Sequence, residues 1–107
     1  MQKNFTNNDD FDKYVREQDK WILDNGWSNP ELSIYMYRLE KSTEYNAGKL
    51  VEYILMSRYA NLTNRIDVFH KKGKQNREIW SGFVDSPDEY QVMMSAVNKF
   101  IEERKRI

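Results

Sequence analysis

One histidine, His70, and no cysteine set the catalytic repertoire of this chain. Cys–His catalysis is excluded outright, and no serine stands in a Gly-x-Ser-x-Gly elbow that would support a triad. The four glycines, Gly26, Gly48, Gly73 and Gly82, are scattered singly, so no phosphate-cradling loop is present in the sequence. Paired carboxylates act on glycosidic bonds only across an open cleft, which so short a chain builds with difficulty. Asp9, Asp10 and Asp12 cluster without the ligand spacing of a calcium loop. They read instead as complements to the positive end of a helix. The expectation is a protein with no catalytic residue, no metal and no cofactor, in which His70 is a partly exposed strand residue near a turn.

The most suggestive segment is His70 to Arg77, which holds Lys71, Lys72, Lys74 and Arg77 within seven residues. With Phe69 and Trp80 just below it, a basic turn of this kind suits single-stranded nucleic acid, by base stacking and phosphate contact. The plainer reading is a solvated hairpin tip whose lysines discourage edge-to-edge association. A second candidate surface is aromatic. Tyr35, Tyr37, Phe69 and Trp80, with Arg58 or Arg38 at the margin, are expected to share the sheet face opposite the helices. Tyr, Trp and Arg are enriched at binding hot spots. The competing assignment puts those residues in the core and leaves the face of Leu32, Ile34 and Val68 open.

Bulk composition narrows the classes further. The chain has 107 residues with 17 acidic and 17 basic side chains, so its formal net charge is zero. A protein coated in positive charge is excluded, although residues 1–30 lean acidic and residues 65–85 lean basic. No apolar run approaches the roughly 20 residues of a membrane span, and the first residues do not lead into a signal-type segment. Absence of cysteine removes disulfides and thiolate metal sites, and cytoplasmic residence is the expectation. Ten Lys and ten Asn against three Ala suggest an AT-rich coding sequence of bacterial or phage type.

The elements that would position these residues follow from periodicity. Phe11, Tyr14, Val15, Gln18, Trp21 and Ile22 recur at helical spacing, predicting a helix from Asp9 to Asn25 capped by Asn8 or Asp9 and ended at Gly26. Glu31 to Glu40 is enriched in strand formers. Leu50 to Tyr59 reads as a strand or, with Val51, Ile54, Leu55, Arg58 and Tyr59 as a stripe, as a helix. Its β-branched and aromatic content favours the strand. As a hairpin with the preceding strand, it would set Leu39 near Ile54 and Lys41 near Glu52. Arg65–Lys71 and Arg77–Val84 flank a Lys-Gly-Lys turn. The register that sets Phe69 against Trp80, Lys71 against Glu78 and Ile66 against Phe83 maximises favourable cross-strand pairs. Ser86-Pro87-Asp88-Glu89 is a capping box opening a final helix with Tyr90, Met93, Met94, Val97, Phe100 and Ile101 as its stripe.

The sum is a single α+β domain over 1–107, with residues 1–8 frayed. Its order is α-β-β-β-β-α, an antiparallel sheet with the terminal helices packed on one face. The functional expectation is a small non-enzymatic protein-binding module. It would be an accessory, immunity or phage-borne inhibitor protein that occludes a partner. Nucleic-acid binding through hairpin 70–77 is the alternative. No membrane partner is expected, and homodimerisation through an open sheet edge or an aromatic face is compatible with the pattern.

Overall fold

A computed structural model describes residues 1–29, 36–58 and 62–105. Helix α1 spans Asn8–Asp24, and helix α2 spans Pro87–Lys105. Between them lie strands β1 (Trp27–Ser28), β2 (Met36–Leu39), β3 (Glu44–Asn46), β4 (Lys49–Arg58), β5 (Arg65–Lys72) and β6 (Gln75–Phe83). The four expected strands are therefore joined by two short ones, β1 and β3. All pairings are antiparallel, in the order β1-β2-β4-β5-β6, and β3 also pairs with β4. Expected positions Leu32, Ile34, Tyr35 and Tyr59 lie outside the described residues.

Helix α1 forms as its spacing predicts, with Phe11, Val15, Gln18 and Ile22 buried on one side. Its cap falls one residue before the expected pair. Asn7 is extended, and its side-chain oxygen accepts from the Asp10 amide at 2.8 Å. That leaves Asp9 and Asp10 in the first turn, where their charge suits the exposed N–H groups. Gly26 follows the helix at φ 93°, a left-handed conformation that costs glycine no steric penalty. At the start of α2 the Glu89 amide donates to Ser86 Oγ at 3.2 Å. Glu89 reaches back to the amide of Asp85 rather than that of Ser86, so the box is offset by one residue.

Residues 1–5, expected to fray, make specific contacts with the rest of the chain. Asn64, fully buried, accepts from the Lys3 amide at 2.7 Å and donates to the Met1 carbonyl at 2.8 Å. Phe5 adds a backbone bond to the Leu62 carbonyl, and its ring packs on Phe11 and Tyr14. Polar sequence alone predicts an untethered end, but one buried amide side chain satisfies two backbone groups and holds it.

The segment of ambiguous reading, β4, is a strand, and its length organises the sheet. Its second half pairs with β2 in the expected register: Met36 opposite Ser57, Tyr37 opposite Met56, Arg38 opposite Leu55. Lys41 does not come opposite Glu52, because the chain makes a 3₁₀ turn at Glu40–Ser42. Instead β3 pairs with the first half of β4 and sets Glu44 opposite Glu52.

Antiparallel pairing keeps opposed residues on one face of a sheet. Tyr37, Met56, Val68 and Trp80 are therefore one row, and both helices pack on it. The core joins Ile22 of α1 and Tyr90, Met93, Met94 and Val97 of α2 to Leu39, Ile54, Ile66 and Val84. Trp27 is buried there too, its indole N–H donating to the Tyr90 hydroxyl at 3.0 Å. Among the described residues, no helix is long and apolar enough to cross a membrane.

Candidate functional site

The expected aromatic surface is not assembled as one face. Tyr37 is only 1% exposed and Arg58 only 3%, so neither is available to a partner. Trp80 is half-buried on the helix-packed side, in the row of Val68. Phe69 lies on the other face, opposite Leu55 and Glu78. Tyr35, the remaining member, is outside the described residues.

The difference originates in the register of β5 and β6. Phe69 was expected to face Trp80, and Lys71 to face Glu78. The tight turn at Gly73, φ 58°, instead sets Lys72 opposite Gln75 and Lys71 opposite Asn76. A bulge between Val68 and Phe69 then shifts the remainder, so that Val68 faces Trp80 and Arg65 faces Phe83. Cross-strand pairs contribute at most about 1 kcal/mol each. Covering part of a large indole, at about 25 cal/mol per Å², competes with such pairs, and the bulge turns Trp80 to the helix-packed side. The Trp80 ring lies over Gly82, where a Cβ atom would come within 2.8 Å of the ring.

Arg58 plays an interior role. Its Nη2 donates to Gln18 Oε1 at 2.6 Å, and its guanidinium lies 5.9 Å from the Tyr37 ring centre. Among the described residues, its buried Nε and Nη1 meet no hydrogen-bond partner. Gln18 passes the connection to the Tyr14 hydroxyl, which donates to Asp85. Burial raises the pKa values of both tyrosines, and Asp85 for Tyr14 and Asp19 for Tyr37 add to that rise against the opposing Arg58 charge.

Among the described residues no helix covers the other side of the sheet, and this helix-free side carries a patch the sequence did not assemble. Leu55 and Phe69 are neighbours across β4 and β5, and Tyr53 lies beside Lys71 in the next row. All three are half-buried, and Met36, at the end of β2, is exposed. Arg38 belongs to this face as the partner of Leu55 and donates to the Tyr45 hydroxyl at 2.9 Å. Tyr45 itself is exposed. Of the basic hairpin, Lys71 lies here, its Nζ 5.7 Å from the Phe69 ring centre. Lys74 projects from the turn, and Lys72 and Arg77 belong to the opposite face.

On that opposite face, a cleft of about 560 Å³ opens between the second half of α2, the 3₁₀ turn and strands β3 to β5. Its wall includes a cluster of three hydrogen-bonded polar side chains. Glu52 Oε2 lies 2.7 Å from His70 Nε2 and 2.7 Å from Arg104 Nη2. The His70 ring packs 5.0 Å from the ring centre of Phe100 and is buried, not partly exposed as expected. Burial raises the Glu52 pKa, but the His70 hydrogen bond and the charges of Arg104 and Lys72 outweigh it, and the net shift is downward. On the far side, Lys41 donates to Asn98 Oδ1 at 2.9 Å. Among the described residues, no group of acidic, histidine or cysteine side chains is placed to hold a metal ion. A depression of about 410 Å³ along α1, between Asp9 and Lys20, is formed by one helix and has no second wall.

Glu52 and Arg104 were not singled out as site residues. The pairing of β4 with β5 sets Glu52 against Lys72 and Ile54 against His70. That opposite-charge pair is a register signal the sequence does contain. Arg104 carried no such signal, since its contact spans 52 residues and depends on how α2 lies.

Comparison with protein-family models, curated protein sequences and solved structures gave no match.

Proposed function

We propose that this protein is a non-catalytic binding module that recognises a protein partner through the helix-free face of its sheet. One observation supports the reading above others: both helices and the core residues of the sheet lie on one side, while Leu55, Phe69, Tyr53, Met36, Arg38 and Tyr45 gather on the other. Apolar side chains mixed with tyrosine and arginine have the composition of an interface centre. Binding here acts by occluding the partner's surface, without chemistry of its own. The test places a photo-crosslinking amino acid at position 69 and, as a control, at Lys13 on the outer side of α1. In extracts of the cell that encodes the protein, position 69 is expected to give a discrete protein adduct that Leu55→Gln weakens. No adduct, or equal adducts from both positions, would overturn the proposal.

A second reading is favoured by the Lys71 ammonium beside the Phe69 ring, with Tyr53 opposite Lys71. Aromatics flanked by lysine suit single-stranded nucleic acid. Anisotropy of labelled oligonucleotides at about 50 and 200 mM salt checks it. Binding that falls with salt and is reduced by Lys71→Glu combined with Lys74→Glu supports nucleic acid. Absence of binding at low salt removes this reading.

A further inference from the structure

Strand β6 is an edge of the sheet. In the order β1-β2-β4-β5-β6 it pairs only with β5, so among the described residues no strand meets its other side. Antiparallel pairing turns alternate backbone N–H and C=O groups of such a strand outward, where they form a template for another chain. Gln75, Asn76, Arg77 and Glu78 are all exposed, and their pairing runs without a break from Lys72 opposite Gln75 to Phe69 opposite Glu78. The break comes at Ile79, the extra residue of the bulge, beyond which Val68 faces Trp80. A bulge disrupts the ladder and blunts an edge. Here it interrupts β6 at its middle and leaves the four residues before it in regular register.

Positive charge collects around those four residues. Between His70 and Phe83 the chain carries Lys71, Lys72, Lys74 and Arg77 against one carboxylate, that of Glu78. Among the described residues none of the four cations has an ion pair within 4.0 Å. Glu52 stands opposite Lys72, but its carboxylate already serves His70 and Arg104. The cations flank the edge on both sides of the sheet, Lys71 on the helix-free side and Lys72 and Arg77 on the other, with Lys74 at the turn. The Arg77 guanidinium is placed over α2, 5.7 Å from the Phe100 ring centre.

This charge selects which chain the edge accepts. A second copy pairing through the same four residues would bring its own cations against these, and like charges opposed across strands are destabilising. Nucleic acid carries the complementary charge but has no peptide groups to continue a ladder. An extended polypeptide with carboxylate side chains supplies both, by the mode in which a peptide adds a strand to an open sheet edge.

We propose that the Gln75–Glu78 edge of β6 accepts an extended acidic segment of a partner protein, which joins the sheet as a further strand. Its backbone pairs with β6, and its carboxylates meet Lys74 and Arg77. The surface used is the strand edge and not the Leu55 and Phe69 patch, so this reading and the proposed protein-binding face stand or fall separately.

The test pans a phage-displayed library of random twelve-residue peptides against the full chain, and recovered peptides are synthesised for NMR with the ¹⁵N-labelled protein. Peptides rich in Asp and Glu are expected, and their binding should slow hydrogen exchange at residues 75–78. N-methylation of every second peptide amide, in one of its two frames, should weaken binding about tenfold or more, because it removes the donors of the ladder. Lys74→Glu combined with Arg77→Glu, at two exposed positions where the spectrum reports that the fold persists, should weaken the acidic peptide about tenfold and favour its Lys-for-Glu version. No recovered peptide, recovered peptides without acidic residues, undiminished binding in both N-methylated frames, or full binding of the acidic peptide by the charge-reversed variant would overturn the proposal. Exchange slowed at residues 53, 55 and 69 in place of 75–78 would also overturn it, while supporting the helix-free face.

Discussion

Met56 and Leu55 are adjacent in β4, yet they belong to different parts of the molecule. Met56 is wholly buried between Tyr37 and Val68 beneath the helices, whereas Leu55 is half-buried beside Arg38 and Phe69 on the side without a helix. The same contrast runs along the sheet, separating Val68 from Phe69 and Tyr37 from Arg38. Alternation of this kind is ordinary for a sheet with one packed face. What it teaches here is that stability and recognition draw on residues one position apart, so a shift of register by one residue exchanges their roles.

The largest expected effect tests that separation. Met56→Ala should cost about 2–5 kcal/mol in denaturant unfolding, by loss of buried contacts and the cavity left behind. Leu55→Ala should cost less than about 1 kcal/mol. Equal losses would erase the distinction between the two faces.

Next is the packed side's point of closest approach. Gly82→Ala drives a methyl group into the Trp80 ring, and a loss of about 1–3 kcal/mol is expected together with a changed tryptophan near-UV signal. An unchanged signal would mean that Trp80 is not held over Gly82.

Glu52 sharpens the comparison in a pH-dependent way. Its carboxyl is held below its ordinary value when folded, so its stabilisation is present above the unfolded pKa and is lost as pH falls through the folded one. Glu52→Gln should therefore lower stability by about 1–2 kcal/mol at neutral pH and by progressively less in acid. Thermal unfolding of both proteins between about pH 3 and 7 checks the convergence. A constant difference across that range would rule out ionisation as the source.

The smallest effect is local. Ala47 has φ 52° in the turn between β3 and β4, a conformation that L side chains adopt at a cost. Ala47→Gly should raise stability by about 0.5–1 kcal/mol, measured as the unfolding midpoint in denaturant. A loss would show that the turn is not strained.

Much of the architecture was legible in the sequence because it depends on local chemistry. Phe11, Val15, Gln18 and Ile22 marked the buried side of α1, and Ser86 with Glu89 marked the start of α2. Leu39 was aligned with Ile54 in the register that Met36, Tyr37 and Arg38 follow. The candidate surfaces were less legible. Phe69 and Trp80 were placed together because cross-strand preferences were weighed without the bulge, and a bulge is decided by burial of Trp80 against helices distant in sequence. Tyr37 and Arg58 were assigned to a binding face because tyrosine and arginine are enriched at hot spots, with the core as the competing assignment, and Asp19 and Gln18 of α1 bond to them in the interior. The cluster of Glu52, His70 and Arg104 joins three elements, and only the relation between β4 and β5 was recoverable from sequence spacing.

The central claim is that the helix-free face binds while the packed face holds the fold. Its most direct test measures both properties in one protein, Leu55→Gln combined with Phe69→Gln. The account predicts an unfolding free energy within about 1 kcal/mol of the parent and loss of partner capture by the crosslinker placed at position 53. Capture at the parental level from a folded double variant would contradict it.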